Sequence, residues 1–321
     1  MNILFVTSTR IGDAVLSTAL LSHLVSRHPN ASITVACGVL PAPLFQDIPC
    51  VRRVIPIEKR RFAAHWITLW SDVVKTSWDL VIDLRASALA WTILSRERRT
   101  LRTNDSDTNI HRVTELGGLL DLDPPPDPKL WLSDQADNQV ADTIPEGTPV
   151  IGLGVTANWL PKIWPAENFV ALVQKITGAT GIIPGARVAV FGAANERSIA
   201  QPVLEGLGEG KCIDLVGKID LQTVAACLSR CAIFVGNDSG LMHMSAAVST
   251  PTVGLFGPSP PARYGPWGDH CIVVESSESY RELVGAPSFD HRSSENLMAG
   301  LSVEAVYEAA RAIYRNVGKD C

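Results

Sequence analysis

Residues 234–257 read FVGNDSGLMHMSAAVSTPTVGLFG, and they constrain the fold more than any other stretch of the chain. A short β-type run, Ile233 to Val235, ends at Gly236, and Asn237, Asp238, Ser239 and Gly240 follow. A helical pattern then begins, with His243 in its first turns, and Pro251 stops it before a second apolar run, Thr252 to Phe256. The order is strand, polar turn, helix, strand. In an open α/β sheet it leaves backbone N–H groups and an acid at the carboxyl edge, where phosphorylated ligands bind. Helix capping alone would account for Asp238 or Ser239 taken singly. A turn built of Asn, Asp, Ser and Gly with a nearby His reads better as a ligand site.

The same alternation runs through both halves. Ile3 to Val6 reads as a buried parallel strand, Ala14 to Ser26 as a helix, and Ser32 to Ala36, Val51 to Ile57 and Leu80 to Asp83 as further strands. In the second half Val150 to Gly154, Arg187 to Phe191 and Cys212 to Leu215 read as strands. Pro165 to Thr177, Glu196 to Leu207 and Leu221 to Ser229 read as helices. The pattern predicts an α/β protein with two doubly wound, Rossmann-like parallel sheets facing a cleft. The expected division is residues 1–146 and 147–301; the proline-rich run Asp121 to Lys129 is the obvious hand-over, with a linker nearer Ile144 to Pro149 as the alternative. A last helix, Val303 to Asn316 within residues 302–321, is expected to pack back on the first domain.

A chain of 321 residues suffices for two such cores. Its net charge of -5 argues against general nucleic-acid binding, yet the first half is locally basic. Arg52, Arg53, Lys59, Arg60, Arg61, Arg96, Arg98, Arg99 and Arg102 make either a solvated face or a surface for an anionic second substrate. The seven cysteines show no zinc-type spacing; Cys227 and Cys231 read as neighbours on one helix face. Their odd number, with no secretion signal, points to reduced thiols in the cytoplasm. No segment is apolar enough over a sufficient length to span a bilayer, so any membrane contact is expected to be peripheral.

Two apparent motifs are set aside. Gly152-Leu153-Gly154 lacks the third glycine and the following acid of a dinucleotide fingerprint. Asp105-Ser106-Asp107 has the form of a metal-holding Asp-x-Asp, but no apolar strand precedes it, and no metal is expected. Other residues are better placed for chemistry. Asp13 stands at the start of the first helix, either as an N-cap or, beside Gly12, as a carboxylate able to take a proton from an acceptor hydroxyl. Thr156 and Lys162 follow the first strand of the second half, where a lysine charge and N–H groups could cradle a diphosphate. Glu196, after the next strand, reads equally as a helix-terminal charge or as a carboxylate for ribose hydroxyls.

Together these elements resemble glycosyltransferase family 9, the bacterial heptosyltransferases of lipopolysaccharide core assembly. The resemblance rests on Ile11-Gly12-Asp13, Lys162-Ile163-Trp164-Pro165, Phe191-Gly192 with Glu196, and Asn237-Asp238-Ser239-Gly240 with His243. Leu255-Phe256-Gly257-Pro258-Ser259-Pro260 with Arg263, Gly265, Pro266 and Gly268 completes it. The elements occur in family order over nearly the whole chain.

The resemblance implies a GT-B fold and an inverting transfer of heptose, or a related sugar, from an ADP-sugar. The acceptor would be a lipid-linked anionic saccharide of the inner core, met in the cytoplasm at the inner-membrane surface, and no cofactor would be required. It implies Asp13 as catalytic base, and Thr156, Lys162, Glu196, Ile219, Asp238, Ser239, Gly240 and His243 as the donor site. Gly12, Arg60, Arg61 and His111 are expected toward the acceptor. Arg85-Ala86-Ser87 departs from the more usual Gln-Gly-Ser. A nucleotide-sugar epimerase on the same fold, or a non-catalytic nucleotide-binding protein, remain alternatives.

Overall fold

Every strand pairing among the described residues is parallel, and the reason is visible strand by strand. The computed structural model describes residues 1–58, 61–101, 109–144, 146–208, 210–285 and 296–317. They form two compact units, residues 1–133 and 134–321.

The first unit holds β1 (Asn2–Val6), β2 (Ser32–Gly38), β3 (Val51–Ile57), β4 (Trp78–Asp83) and β5 (Ser95–Thr100), in the order β3-β2-β1-β4-β5. β1 is buried on both faces, as a central parallel strand must be. Ile3 and Phe5 meet Ala14, Leu20, Leu21 and Leu24 of the helix Ile11–Arg27 on one face. Leu4 and Val6 meet Leu69 and Val73 of the helix Ala64–Val73 on the other. Gly38 ends β2 against the backbone of Thr9, where a Cβ would stand 2.5 Å from the Thr9 Cα; any larger residue would push the β1 loop away.

The second unit holds β6 (Val150–Gly154), β7 (Arg187–Phe191), β8 (Cys212–Asp214), β9 (Ile233–Asn237), β10 (Thr252–Phe256) and β11 (Cys271–Glu275). Their order is β11-β10-β9-β6-β7-β8. One core joins Ile151, Leu153, Val188, Val190, Ile233 and Val235 to Phe169, Leu172 and Ile176 of the helix Ala166–Thr177. Val306, Ala310 and Ile313 of the helix Val303–Val317 belong to that same core.

Two expectations about organisation are corrected. The last helix, expected on the first domain, packs instead on β9, β10, β11 and the helix Ala166–Thr177, because its apolar stripe covers the strands at that side of the second sheet. The first unit ends at Ser133 rather than at residue 146. The helix Asp134–Thr143 packs on the helix Leu221–Ser229 and so belongs to the second unit. The proline-rich run stays with the first unit: Ser22 Oγ donates to the Asp127 carbonyl at 3.0 Å and Lys129 N to Thr18 Oγ1 at 3.0 Å.

Six cysteines among the described residues are free thiols. Burial pushes the Cys37, Cys227 and Cys271 thiols up to about 12. Cys231 donates to the Cys227 carbonyl at 3.3 Å just past the end of its helix. No helix is long and apolar enough to cross a membrane among the described residues.

Candidate functional site

In the second sheet the chain runs from β6 outward through β7 to β8, then returns to β9 on the other side of β6. The loops after β6 and β9 therefore leave in opposite directions, and a crevice opens at the carboxyl ends of these two strands. Lys162 comes from the loop after β6, and Asp238 follows β9. Their side chains meet there, Lys162 Nζ donating to Asp238 Oδ2 at 2.6 Å. An ammonium has three donors, so the pair aims Lys162 while leaving further N–H groups for a ligand.

Burial surrounds this pair. Asp238 and His243 are both buried, and His243 Nε2 lies 4.0 Å from Asp238 Oδ1. Ser239 has extended backbone angles and stands at the N-cap of the helix Gly240–Ala247, without a side-chain cap bond. The first N–H groups of that helix, Gly240 onward, have no intrahelical acceptor and carry the positive end of its dipole.

The β6 loop is locked from beneath. Trp164 N donates to Asn237 Oδ1 at 3.1 Å, and Trp164 Nε1 donates to the Leu301 carbonyl at 2.9 Å. Asn237, fully buried in the last position of β9, thus ties the two loops that carry Lys162 and Asp238. Four buried polar atoms stand along the same edge without a hydrogen-bond partner: Asn237 Nδ2, Ser239 Oγ, Ser259 Oγ and Ser276 Oγ. They lie at or just after the carboxyl ends of β9, β10 and β11. Buried polar groups are nearly always satisfied. A row of exceptions on one sheet edge is what a polar ligand site looks like.

On the other side of β6, Thr156 Oγ1 donates to Glu196 Oε2 at 2.9 Å, and Ala193 N donates to the same oxygen at 2.9 Å. Glu196 therefore bridges the loops after β6 and β7 and keeps its second oxygen for another donor. The segment after β8 packs beside it. Gly217 has φ +70 and its N–H donates to the Gly192 carbonyl at 2.9 Å, and a Cβ there would lie 2.6 Å from the Ala194 Cα. Asp214 organises this segment by accepting from Val216 N, Arg197 and Lys218. Its burial raises the carboxyl pKa, and the bonds from Arg197, Lys218 and Val216 overcome that and hold it at about 2. Ile219 is half-buried directly before Asp220, whose carboxylate caps the helix Leu221–Ser229 through Thr223 N at 2.9 Å.

Within the first unit the switch lies between β1 and β4. Asp13 sits half-buried in the first turn of the helix after β1 but is not its N-cap, which is Arg10. Ser8 Oγ reaches Asp13 Oδ2 at 3.4 Å, and Gly12 precedes it in the same turn. On the neighbouring strand, fully buried Asp83 ends β4 in register with Val6 and accepts from Arg85 N at 2.8 Å and from Ser87 N at 2.9 Å. Burial pushes the Asp83 carboxyl up, against the pull of Ser87 and Arg85.

The remaining expected residues fall differently. His111 is the N-cap of the helix Arg112–Gly118, its Nδ1 accepting from Val113 N at 3.1 Å. Arg61 is exposed in a short turn before the helix Ala64–Val73, and Arg60 lies outside the described residues, as do Lys59, Arg102 and the Asp105–Asp107 pair. Much of the basic cluster is structural. Arg98 donates to the carbonyls of Ala90, Ile93 and Ser95, Arg99 pairs with Glu97 and Asp121, and Arg53 with Asp72. Sequence reasoning does not single out Asn237, Ser276, Asp83 or Asp214. Asn237 is visible there only as a turn residue and as part of the family motif, and Asp83 only as the last residue of a strand.

Comparison with known proteins decides the family. The family model "Glycosyltransferase family 9 (heptosyltransferase)" matches residues 66–291. The chain belongs to glycosyltransferase family 9. The family 9 chain is 26% identical to the lipooligosaccharide heptosyltransferase 2 of Haemophilus influenzae, over 96% of its own length and 99% of that relative. Its fold matches a glycosyl transferase family 9 structure from Veillonella parvula with a TM-score of 0.81 and 23% identity, covering 98% and 97% of the two chains. It matches the E. coli ADP-heptose lps heptosyltransferase II with a TM-score of 0.75 and 21% identity, covering 99% and 100%. The two parallel-sheet units are thus those of a GT-B glycosyltransferase.

Proposed function

We propose that this family 9 glycosyltransferase moves a heptose from ADP-heptose to an anionic, lipid-linked saccharide of the lipopolysaccharide inner core, with inversion. The observation that carries the reading is the Lys162–Asp238 pair at the β6/β9 switch point, beside a row of unpartnered polar atoms and a helix N-terminus. Family membership and the Haemophilus heptosyltransferase of matching length support the sugar and the acceptor class.

In this reading the second unit takes the donor and the first the acceptor. Lys162 and the N–H groups from Gly240 onward receive the diphosphate, and Asp238, Ser239 and His243 shape that pocket. Thr156 and Glu196 face the ribose, and Ile219 the adenine. Asp13 removes the proton of the acceptor hydroxyl, the freed oxygen attacks the anomeric carbon, and the bond to ADP breaks on the opposite face. The charge that grows on the departing diphosphate is what Lys162 and the helix terminus stabilise, usually a large part of the barrier reduction. The acceptor is anchored in lipid, so the enzyme works against the cytoplasmic face of the inner membrane.

The test is a donor screen by thermal shift followed by turnover. ADP-heptose should raise the melting temperature more than UDP- or GDP-sugars, since the gain grows with the logarithm of ligand over Kd. ADP should appear only when acceptor is added. Interconversion of a UDP-sugar without acceptor would overturn the reading in favour of an epimerase.

A further inference from the structure

Five of the ten large apolar side chains exposed among the described residues lie on one side of the first unit, while Val39 and Leu40 stand apart after β2. Phe62 is 97% exposed, Ile67 and Trp91 each 69%, and Leu94 68%. All four lie on two short elements that cover the same face of the first sheet. Phe62 stands in the turn that enters the helix Ala64–Val73, and Ile67 and partly exposed Trp70 are on that helix. Trp91 lies in the one-turn helix Leu89–Thr92, and Leu94 follows two residues after its end. The two elements touch, since Trp70 Nε1 donates to the Thr92 carbonyl at 3.4 Å. Their inner sides are core: Leu69, Val73, Leu89, Ala90 and Ile93 are buried on the sheet.

This surface is held in place rather than loosely displayed. The Arg98 guanidinium donates to the carbonyls of Ala90 at 2.7 Å, Ile93 at 2.9 Å and Ser95 at 3.1 Å, so it fixes the segment that presents Trp91 and Leu94. Positive charge is interleaved with the rings. The Arg61 guanidinium lies over the Phe62 ring at 6.0 Å and that of Arg85 over the Trp66 ring at 5.8 Å. Residues 51–100 contain ten Lys or Arg and five Asp or Glu, within a chain whose net charge is -5. Of those acids, Asp72 and Asp79 are paired with Arg53 and Arg96, and Asp83 is buried. Basic charge mixed with exposed Trp, Phe and Leu is the chemistry of a bilayer interface carrying anionic lipid.

We infer that the face formed by Phe62, Ile67, Trp70, Trp91 and Leu94 is the surface by which this protein sits on an anionic membrane. The inference rests on the proposed lipid-linked acceptor for its purpose, and it adds the place of contact. The rings and Leu94 enter the headgroup region while Arg61 and Arg85 meet lipid phosphates. The same segment begins at the carboxyl edge of β4, where Asp83 orders Arg85 and Ser87, so membrane contact and acceptor edge share one loop.

The experiment is flotation of the full chain with vesicles, free of donor and acceptor. Vesicles of phosphatidylcholine with about one-third phosphatidylglycerol should carry the protein up, and pure phosphatidylcholine should carry far less. Raised salt should weaken the binding. The double variants Trp91→Ser/Leu94→Ser and Phe62→Ser/Ile67→Ser change only side chains that are more than two-thirds exposed. Each should lower vesicle binding about tenfold, with melting temperature and ADP binding unchanged. Equal flotation of variants and parent, or no flotation of the parent, would overturn the inference. So would a concentration-dependent dimer that the variants dissolve, which would assign the face to a second copy of the chain. A transfer assay with a soluble, deacylated acceptor reports on the enzyme reading separately: failure there leaves the vesicle result standing, and the reverse holds too.

Discussion

Lys162 and Asp238 form a 2.6 Å ion pair although they come from separate loops on opposite sides of the second sheet's switch point. Asp238 is buried, and a buried carboxylate is tolerated only when charge or hydrogen bonds compensate it. The lysine compensates that buried carboxylate, and in the proposed reading it also meets the donor diphosphate.

Removing the lysine should hurt the reaction more than the fold. Lys162→Ala is expected to lower kcat by about a hundredfold to a thousandfold, the usual cost of losing one contact to a developing charge. Steady-state kinetics with saturating acceptor would measure it. Asp238→Asn should act differently, loosening Lys162 and weakening ADP affinity while leaving part of the turnover. Equal losses of kcat and ADP affinity in both variants would show that the pair acts only as a structural strut.

Asp13 lies on the other unit and should behave as the complement of Lys162. Asp13→Asn preserves an oxygen to accept from Ser8 Oγ, so the loop after β1 should keep its shape. Turnover should vanish and calorimetric ADP binding should stay within about twofold of the parent. Lost ADP binding in this variant would remove Asp13 from the role of base.

The central strands are readable in the sequence because they are buried on both faces and so appear as continuous apolar runs, as in β1, β6 and β9. β5 is not. Its sequence, SRERRT, looks like a charge cluster, and only at the edge of a sheet can such a run pair along one side while its arginines satisfy loops and neighbouring acids. The helix Asp134–Thr143 is polar enough to hide its two buried positions, Ala136 and Val140, which moves the boundary between units. Lys162, Asp238, Glu196 and Asp13 are legible because each sits at a strand-to-helix transition. The tie from Trp164 to Asn237 is not, since it joins residues 73 apart and depends on which strands are neighbours.

Glu196 offers a test of what the second unit recognises. One of its oxygens is already held by Thr156 Oγ1 and Ala193 N, which orients the other. If that oxygen accepts from the ribose, the parent should prefer ADP over its 2′- and 3′-deoxy forms. Glu196→Ala should bind all of them weakly and alike, with ADP affinity lowered about tenfold. A variant that keeps the parent's preference among these nucleotides would place the ribose elsewhere.

Acid should unfasten the segment after β8 through Asp214. Burial raises its carboxyl, but Arg197, Lys218 and the Val216 N–H prevail and hold it at about 2, below the ordinary carboxylate value near 3.8. A depressed pKa means that the folded state binds this proton less readily than the unfolded chain. The stabilisation is therefore complete above about pH 4 and is lost as pH falls from there toward about 2. Asp214→Asn cannot gain or lose that proton, so its unfolding free energy should fall less steeply across this window than the parent's. At pH 7 it should be the less stable of the two, because Arg197 and Lys218 lose their charged partner. Urea unfolding followed by tryptophan fluorescence at pH 7, 4 and 3 would read both effects, and parallel pH profiles for parent and variant would exclude Asp214 as the group responsible.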